Sequence, residues 1–347
     1  MSKYWEKRFE QIKLDAMSKS DVMVEDLAST YAYSLQQLQK EVEDWYHKYA
    51  KDNHITLSEA RKQLDKRELK AFKMTLNQYI RMAKEQNAPD EHIKMLNNAS
   101  IRVRLDRSQQ LLLQVTHYVT MLANTQNVEM AKLLSDVYFS STYKTAYETQ
   151  SMMSKYKNVP LLSDEAVTYA ISKPWTSDGK EFSSRIWDNR DDLVSTLQRE
   201  ITKSLLIQEG TGKLADRIAK RYNVSFNNAR RLAETETAYI QEKASFEQYK
   251  ELDLEQYQIL ATLDNRTSPT CRHLDGKIVD MKDYKVGVTA PPFHCHCRTT
   301  TIPYIKGITD SKEDSRAYRD ESGKTAYIDE VLSYEEWYNK YVKRGEK

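Results

Sequence analysis

One short stretch of this sequence, residues 260–304, differs in composition from everything around it. It contains all three cysteines (Cys271, Cys295 and Cys297) and three of the seven histidines (His273, His294 and His296). Across the whole chain glycine and proline are scarce, with eight glycines and seven prolines in 347 residues. Because these two residue types interrupt helices, their scarcity predicts long helices, and the Cys/His stretch predicts a compact unit of a different kind.

The Cys/His stretch also carries signals for β-structure. The Asp-Gly pair at residues 275–276 precedes β-branched residues, and Asp-Gly favours a tight hairpin turn because glycine accepts a positive φ. Two prolines at residues 291–292 exclude helix and predict an extended loop. Residues 299–302 are predicted to form a strand that ends at Pro303. The pattern therefore indicates a small, β-hairpin-rich unit.

Thiolates and imidazoles are the ligands that suit zinc, and a structural zinc site uses four of them in a tetrahedron. The spacing predicts one ligand pair from Cys271 and His273 and a second pair from His294 and Cys297. Two other interpretations stay open, namely cysteines buried as small apolar side chains, or a disulfide. The N-terminus is charged and has no secretory signal, so we expect a reducing compartment, which disfavours a stable disulfide.

Apolar residues recur at intervals of three and four through the N-terminal half, which is typical of helices that bury one face. The pattern predicts one helix that begins near Ser20 and a second over residues 57–86, with Thr56 opening a capping box. Two more helices are expected over residues 91–124 and 128–153. Together they favour an elongated helical bundle or stalk.

The expected fold class is mainly α with a small α+β C-terminal unit. Residues 1–155 are predicted to form an N-terminal helical domain, and residues 156–192, with their prolines and serines, a connection. Residues 193–306 are predicted to form a second domain, in which one helix ends before Asn223 and the β-hairpin-rich Cys/His unit follows the helices. Residues 307–347 form a charged C-terminal tail.

The net charge of +2 comes from 53 basic and 51 acidic residues, which excludes a protein that coats nucleic acid through its bulk charge. A local basic cluster could still contact phosphate or an acidic partner, and it comprises Lys213, Arg217, Lys220, Arg221, Arg230 and Arg231. The alternative is a solvated helix face with acidic residues opposite it in space. No run approaches the roughly 18 apolar residues of a membrane span, so no membrane contact is expected.

The order of residues in the Cys/His stretch matches a known pattern: Asp264, Arg266, Thr267, Ser268, Cys271, residues 274–277, Pro291, Pro292, His294, Cys297, Arg298 and Pro303. This order resembles the phage head morphogenesis family, the minor head proteins related to the F protein of phage Mu. The family ends the motif with Pro-Pro-x-His-x-x-Cys-Arg-Cys, and many members carry Cys-x-x-Cys before the Asp-Gly. Here Ser268 and Thr299 stand at two of those cysteine positions. At lower specificity the resemblance covers about residues 175–305.

The resemblance implies a minor head (minor capsid) protein, a low-copy structural component of the virion that assists procapsid assembly near the portal and DNA packaging or delivery. It implies the portal protein and the major capsid or scaffolding protein as partners, with double-stranded DNA as a further one. It also implies a location in the phage head, assembled in the host cytoplasm.

The alternative function is a cysteine- or zinc-dependent hydrolase, a peptidase or nuclease carried in the particle. A cysteine nucleophile needs a base and an orienting third group, and no local signature identifies such a set. A catalytic zinc needs a general base, and no His-Glu-x-x-His helix is present. We therefore predict no catalytic residues and expect that the protein is not an enzyme.

Overall fold

The computed structural model of the chain describes residues 3–51, 54–264, 266–309, 317–319, 325–327 and 334–342. These residues form α1 (Lys3–Tyr49), α2 (Leu57–Ala60), α3 (Lys66–Glu85), α4 (Asp90–Ile101), α5 (Arg107–Met153), α6 (Asp164–Ser172), α7 (Phe182–Ile207), α8 (Thr211–Glu251), α9 (Pro269–Leu274) and α10 (Tyr334–Tyr341). The structure is therefore mainly α, as predicted. No helix among these residues combines the length and the apolar character that crossing a bilayer requires.

The β-structure lies close to the Cys/His stretch. Its strands are β1 (Gln256–Leu260), β2 (Ile278–Asp280) and β3 (Thr300–Tyr304), followed by β4 (Ala317–Arg319) and β5 (Thr325–Tyr327). The first three form an antiparallel sheet in the order β2-β1-β3, and β4 pairs with β5. The predicted strand at residues 299–302 is thus confirmed as β3, although Pro303 lies within it, opposite Tyr257.

Helix ends follow local capping chemistry more closely than the sequence analysis expected. The capping box of Thr56 and Glu59 is present, but the helix that it opens ends at Ala60. A second capping box, formed by Asp65 and Glu68, opens α3. The single helix predicted over residues 57–86 is therefore wrong, because two competing N-terminal caps divide it.

Three predicted breaks are absent. Ser20 is fully buried inside α1 and does not begin a helix. Residues 125–127 continue α5, and Asn223 continues α8. An asparagine inside a helix costs less than about 0.7 kcal/mol relative to alanine, so a buried face readily keeps the helix intact. The predicted break at residues 87–90 is confirmed, since Asn87 has a φ of 49° between α3 and α4.

The chain groups into two compact units, each assembled from separate segments. Unit 1 comprises residues 1–23, 130–181 and 231–347, and unit 2 comprises residues 24–129 and 182–230. The long helices α1, α5 and α8 contribute residues to both units. The domain limits predicted along the sequence, at residues 155, 192 and 306, stay a prediction.

Unit 1 has a core in which the N-terminal turns of α1 meet the sheet. Trp5 and Phe9 of α1 cluster with Tyr249 of α8 and with Tyr257 and Ile302 of the sheet. The Tyr249 hydroxyl donates a hydrogen bond to the carbonyl oxygen of Thr301 at 3.0 Å. This packing fixes β3, and hence the residues that lead into it, against two helices.

Unit 2 combines apolar packing with buried hydroxyl pairs. Leu38, Leu197 and Ile218 are each essentially inaccessible to solvent. The hydroxyls of Ser34 and Tyr222 lie 3.1 Å apart. A buried hydroxyl without a hydrogen-bond partner would destabilise the fold by about 1–3 kcal/mol. Pairing two such hydroxyls avoids this cost.

Candidate metal centre

The helix α9 places the first cysteine of the centre. Ser268 caps this helix, because its Oγ atom accepts a hydrogen bond from the backbone N–H of Cys271 at 3.2 Å, and Pro269 occupies the first helical position, which it favours. The cap turns Cys271 inward, where 2% of it is exposed. The Asp-Gly pair is therefore not a hairpin turn as predicted: Asp275 caps the C-terminus of α9, and Gly276 has a φ of +74° just before β2.

The segment that leads into β3 supplies the other members. His294 is exposed and its Nδ1 atom lies 2.7 Å from the carbonyl oxygen of Cys295. Cys297 is completely buried, and it packs with Cys271 and Ala261. Cys295 is exposed and does not belong to the cluster of candidate ligand atoms among the described residues.

Three of the four predicted ligands meet in space. The Sγ atom of Cys271 lies 3.2 Å from Nε2 of His294 and 3.8 Å from Sγ of Cys297. All three candidate ligand atoms lie within 4.8 Å of one another. Two thiolates on one tetrahedral zinc, each bonded at about 2.3 Å, lie about 3.8 Å apart. The geometry of the thiol pair thus fits a tetrahedral metal.

The imidazole of His294 is also oriented in a way that suits metal binding. An Nδ1–H that donates to the Cys295 carbonyl oxygen leaves a lone pair on Nε2 of His294, which is the atom beside Cys271. Metal-binding histidines are commonly fixed in this way by a backbone carbonyl. The donor set of two sulfurs and one nitrogen suits zinc and would hold the ion between α9 and the segment before β3.

The fourth predicted ligand, His273, lies elsewhere. Its Nε2 atom is 3.2 Å from the Nζ atom of Lys277, and the residue is exposed. Cys271 and His273, which the spacing predicts as one ligand pair, are two residues apart in the sequence. In a helix the same separation is about 200° of rotation, so α9 directs the two side chains apart.

The hydroxyl groups of two residues lie in a small cavity next to the candidate ligands. Ser268 and Thr299 line a cavity of about 20 Å³ together with Cys271 and His294. Such a volume is about that needed for one water-sized sphere. The Oγ atom of Ser268 lies 2.8 Å from Nε2 of His294. The positions at which the family carries two further cysteines therefore lie beside the three ligands, and here they carry hydroxyls.

The electrostatics of the centre oppose its use as a cysteine nucleophile. Burial raises the pKa of the Cys271 thiol, and hydrogen bonds from Ser268 and Thr299 only partly offset this. A catalytic cysteine needs a lowered pKa and access to substrate, so a buried thiol with a raised pKa is a poor nucleophile. Lys13 and Arg298 both interact electrostatically with Cys297.

The remaining residues of the recognised motif hold loops together. Arg298 and Asp264 form a two-bond ion pair, with Nη1–Oδ2 and Nη2–Oδ1 distances of 2.7 and 2.5 Å. Arg298 thereby holds the pKa of the Asp264 carboxyl well below its ordinary value. The carboxylate of Asp275 accepts a hydrogen bond from the backbone N–H of Ala261 at 2.8 Å. The ion pair joins the segment before α9 to the segment before β3, and the Asp275 contact joins the end of α9 to the end of β1.

Sequence reasoning missed three buried charged groups beneath the centre. Lys13 and Glu242 are 2% and 0% exposed, and Glu242 accepts hydrogen bonds from the hydroxyls of Thr300 and Thr301. Glu234, also buried, contacts Nδ1 of His296. Lys13 is more than 220 residues away from its neighbours along the chain, so no local pattern could have indicated it.

The six residues of the basic cluster have different surroundings. Arg217 forms ion pairs with Glu200 and Glu209, and Arg221 pairs with Glu200 at 2.8 Å. Lys213, Lys220, Arg230 and Arg231 are exposed. Acidic residues opposite the helix therefore account for part of the cluster, as the alternative interpretation expected, and the exposed members stay candidates for contact with phosphate or an acidic partner.

Residues 195–302, which include the metal centre up to Cys297, match the profile of the family described as Phage Mu protein F like protein. The chain carries a phage Mu F-like region. The resemblance to the phage head morphogenesis family is thereby confirmed, and the matched residues lie within the range expected from the motif. No solved structure matches the chain at a significant level.

Two curated proteins illustrate what the F-like chain is similar to. Minor head protein GP7 of Bacillus phage SPP1 is 28% identical over 220 residues, which cover 59% of this chain and 70% of GP7. NAD(+)--arginine ADP-ribosyltransferase EFV of Enterococcus faecalis is 26% identical over 220 residues, 59% of this chain and 43% of that protein. The chain therefore spans less than half of the length of the Enterococcus relative.

Proposed function

We propose that this protein is a minor head protein, a low-copy structural component of a phage head that assists procapsid assembly near the portal. The observation that carries the proposal is the F-like match over residues 195–302, together with the similarity to a protein named minor head protein. Its partners would be the portal protein and the major capsid or scaffolding protein. Double-stranded DNA would be a further partner during packaging or delivery, and the protein would reside in the virion after assembly in the host cytoplasm.

The metal centre would serve this role as a staple. Cys271 lies on α9, whereas His294 and Cys297 lie in the segment before β3, and zinc bound to all three would cross-link these two segments. The nearby charged residues Arg298 and Asp264 form an ion pair with each other, which favours a structural role for the site over a catalytic one. We propose no catalytic step at this centre.

The test is co-expression of the chain with the portal and capsid proteins of the same genome. We expect the chain to copurify with procapsids in a few copies and to be lost when the portal gene is omitted. Particles made without the chain should show altered composition, DNA content or infectivity. Unchanged particles, or a chain that never enters them, would contradict the proposal.

A second candidate function comes from the Enterococcus relative, whose name states ADP-ribosyl transfer from NAD(+) to arginine. The matched 220 residues are less than half of that protein, and a match of the same length links the chain to a protein named only for the phage head. We therefore propose that the shared part is the head-protein part. Incubation of the purified chain with NAD(+) and an arginine acceptor should yield no ADP-ribosylated product. Transfer that persists after purification would favour the enzyme.

A further inference from the structure

Unit 2 presents a short segment whose side chains are unusually exposed for their type. In residues 101–104, which begin with the last residue of α4, Ile101 and Val103 are 75% and 79% exposed, the highest values for large apolar residues among those that the structure describes. They alternate with Arg102 and Arg104, which are exposed and form no ion pair with any described residue. Leaving two such apolar side chains in water is unfavourable by roughly 1.5–3 kcal/mol each, relative to burying them.

The backbone on both sides holds this basic-apolar segment in place. Ala99 and Leu105, which flank it, are both about 1% exposed. The carbonyl oxygen of Leu105 accepts a hydrogen bond from the N–H of Leu64 at 2.8 Å. Arg102 has an extended backbone, with φ −61° and ψ 138°. An anchored segment loses little conformational entropy on binding, which favours its use as a docking element.

Unit 1 presents a groove of complementary character. It has a volume of about 330 Å³, and its apolar lining includes Leu260 and Leu263, of which Leu263 is 64% exposed. Its charged lining consists of three acidic residues, Glu6, Glu10 and Asp275, and one basic residue, Lys7. Apolar pockets of this size with a few charged groups are typical of binding sites.

We propose that residues 101–104 of one copy of this chain dock into the Glu6/Glu10/Asp275 groove of a second copy, so that the protein self-associates head to tail. The two aliphatic side chains would cover the two leucines, and the two guanidinium groups would meet the carboxylates. The segment and the groove are different surfaces, so a dimer still has one free segment and one free groove. Further copies can therefore add, and the assembly is either a closed ring or an open filament. Opposite charges on the two surfaces favour this pairing and exclude segment-to-segment contact.

The experiment uses the purified full chain in sedimentation velocity over a range of concentrations. We expect species larger than dimers as the concentration rises, weakened by added salt because exposed charges are screened. Arg102→Glu with Arg104→Glu should weaken association at least tenfold, and so should Glu6→Lys with Glu10→Lys. Lys70→Glu with Lys84→Glu reverses the same number of exposed charges elsewhere in unit 2 and should have no effect.

Mixing the two charge-reversed variants provides the decisive comparison. One retains an intact groove and the other an intact segment, and the reversed segment of the first carries charges opposite to those of the reversed groove of the second, so the mixture should recover the association that neither variant shows alone. Combining all four substitutions in one chain restores opposite charges and should restore the larger species. Val103→Asp should weaken association, whereas Met74→Asp, at a comparably exposed residue, should not. A wild-type chain that stays monomeric, charge-reversed variants that associate normally, or a mixture that does not associate would overturn the proposal, provided that the variants melt as the wild type does.

Discussion

His294 directs its Nε2 atom at the Sγ atom of Cys271 across 3.2 Å, although the two residues lie 23 positions apart in the sequence. The contact exists because the Ser268 cap turns Cys271 inward while the Cys295 carbonyl oxygen fixes the imidazole from its other side. Cys297 completes the group at 3.8 Å from Cys271. The centre is therefore assembled by local backbone chemistry in two separate segments.

We predict that the purified protein binds about one zinc ion per chain and that the three clustered residues hold it. Cys271→Ala, Cys297→Ala and His294→Ala should each abolish stoichiometric zinc in elemental analysis. Cys295→Ala and His273→Ala are matched controls that should retain it, since neither residue belongs to the cluster. Loss of zinc in His273→Ala alone would instead support the four-ligand set predicted from spacing.

Removal of the metal should lower the stability of the wild type. Zinc at 100 to 1,000 times its dissociation constant stabilises the folded state by about 3–4 kcal/mol, so a chelator should lower the melting temperature by several degrees. The Cys271→Ala variant should start lower and should not respond to the chelator. Equal melting of wild type and variant, with and without chelator, would remove both the metal and the packing interpretation of the centre.

The sequence predicted the class of the fold and the neighbourhood of the centre because both depend on local signals. Scarce glycine and proline indicated long helices, and Cys271, His294 and Cys297 were identified from residue chemistry. His273 was paired with Cys271 from spacing alone, but the residues after Ser268 form α9, in which side chains two residues apart point in different directions. Lys13 could not be placed at all, since only tertiary packing brings it to Glu242 and Cys297. Residues near each other through tertiary contacts leave no periodic signal in the sequence.

We predict that Lys13 and Glu242 stabilise the fold only as a pair. Burial lowers the pKa of Lys13 and raises that of Glu242, so each charge depends on the other and on nearby groups. Lys13→Met should destabilise the protein by about 3–5 kcal/mol because it leaves a buried carboxylate without its partner. Lys13→Met with Glu242→Leu should cost clearly less than the sum of the two single variants, as measured by urea unfolding. Additive costs would show that the two charges do not interact.

The exposed and the paired members of the basic cluster should behave differently. Lys213→Glu with Lys220→Glu should weaken binding to double-stranded DNA and reduce the salt slope by about 2, since each phosphate contact contributes roughly 0.9. Arg217→Ala should instead lower stability, because Glu209 loses its partner and Glu200 keeps only Arg221. Lys70→Glu with Lys84→Glu serves as the control for net charge. Absence of DNA binding at low salt, measured by fluorescence anisotropy, would end the proposal of direct contact.

Unit 2 contains a buried histidine pair that should make stability depend on pH. Nε2 of His92 lies 3.1 Å from Nδ1 of His117, and the ring of Tyr79 stacks on His117 with the ring centroids 4.0 Å apart. Burial lowers the pKa of His92 to about 4 and that of His117 to about 3, and Arg190 adds to the effect at His92. The other ring nitrogens, Nδ1 of His92 and Nε2 of His117, have no hydrogen-bond partner among the described residues. An N–H group formed there by protonation would therefore be buried without an acceptor.

Because both values lie below the ordinary histidine pKa of 6.5, the unfolded chain binds up to two more protons than the folded chain between about pH 4 and 6.5. The pair therefore contributes stability that is complete above pH 6.5 and is lost as the pH falls toward 4. For each extra proton that the unfolded chain binds, the free energy of unfolding falls by about 1.4 kcal/mol per pH unit. In urea unfolding at pH 7 and pH 5, His92→Gln with His117→Gln should reduce the difference, whereas His47→Gln, at an exposed histidine, should not. An unchanged difference in the double variant would assign the acid sensitivity to other groups.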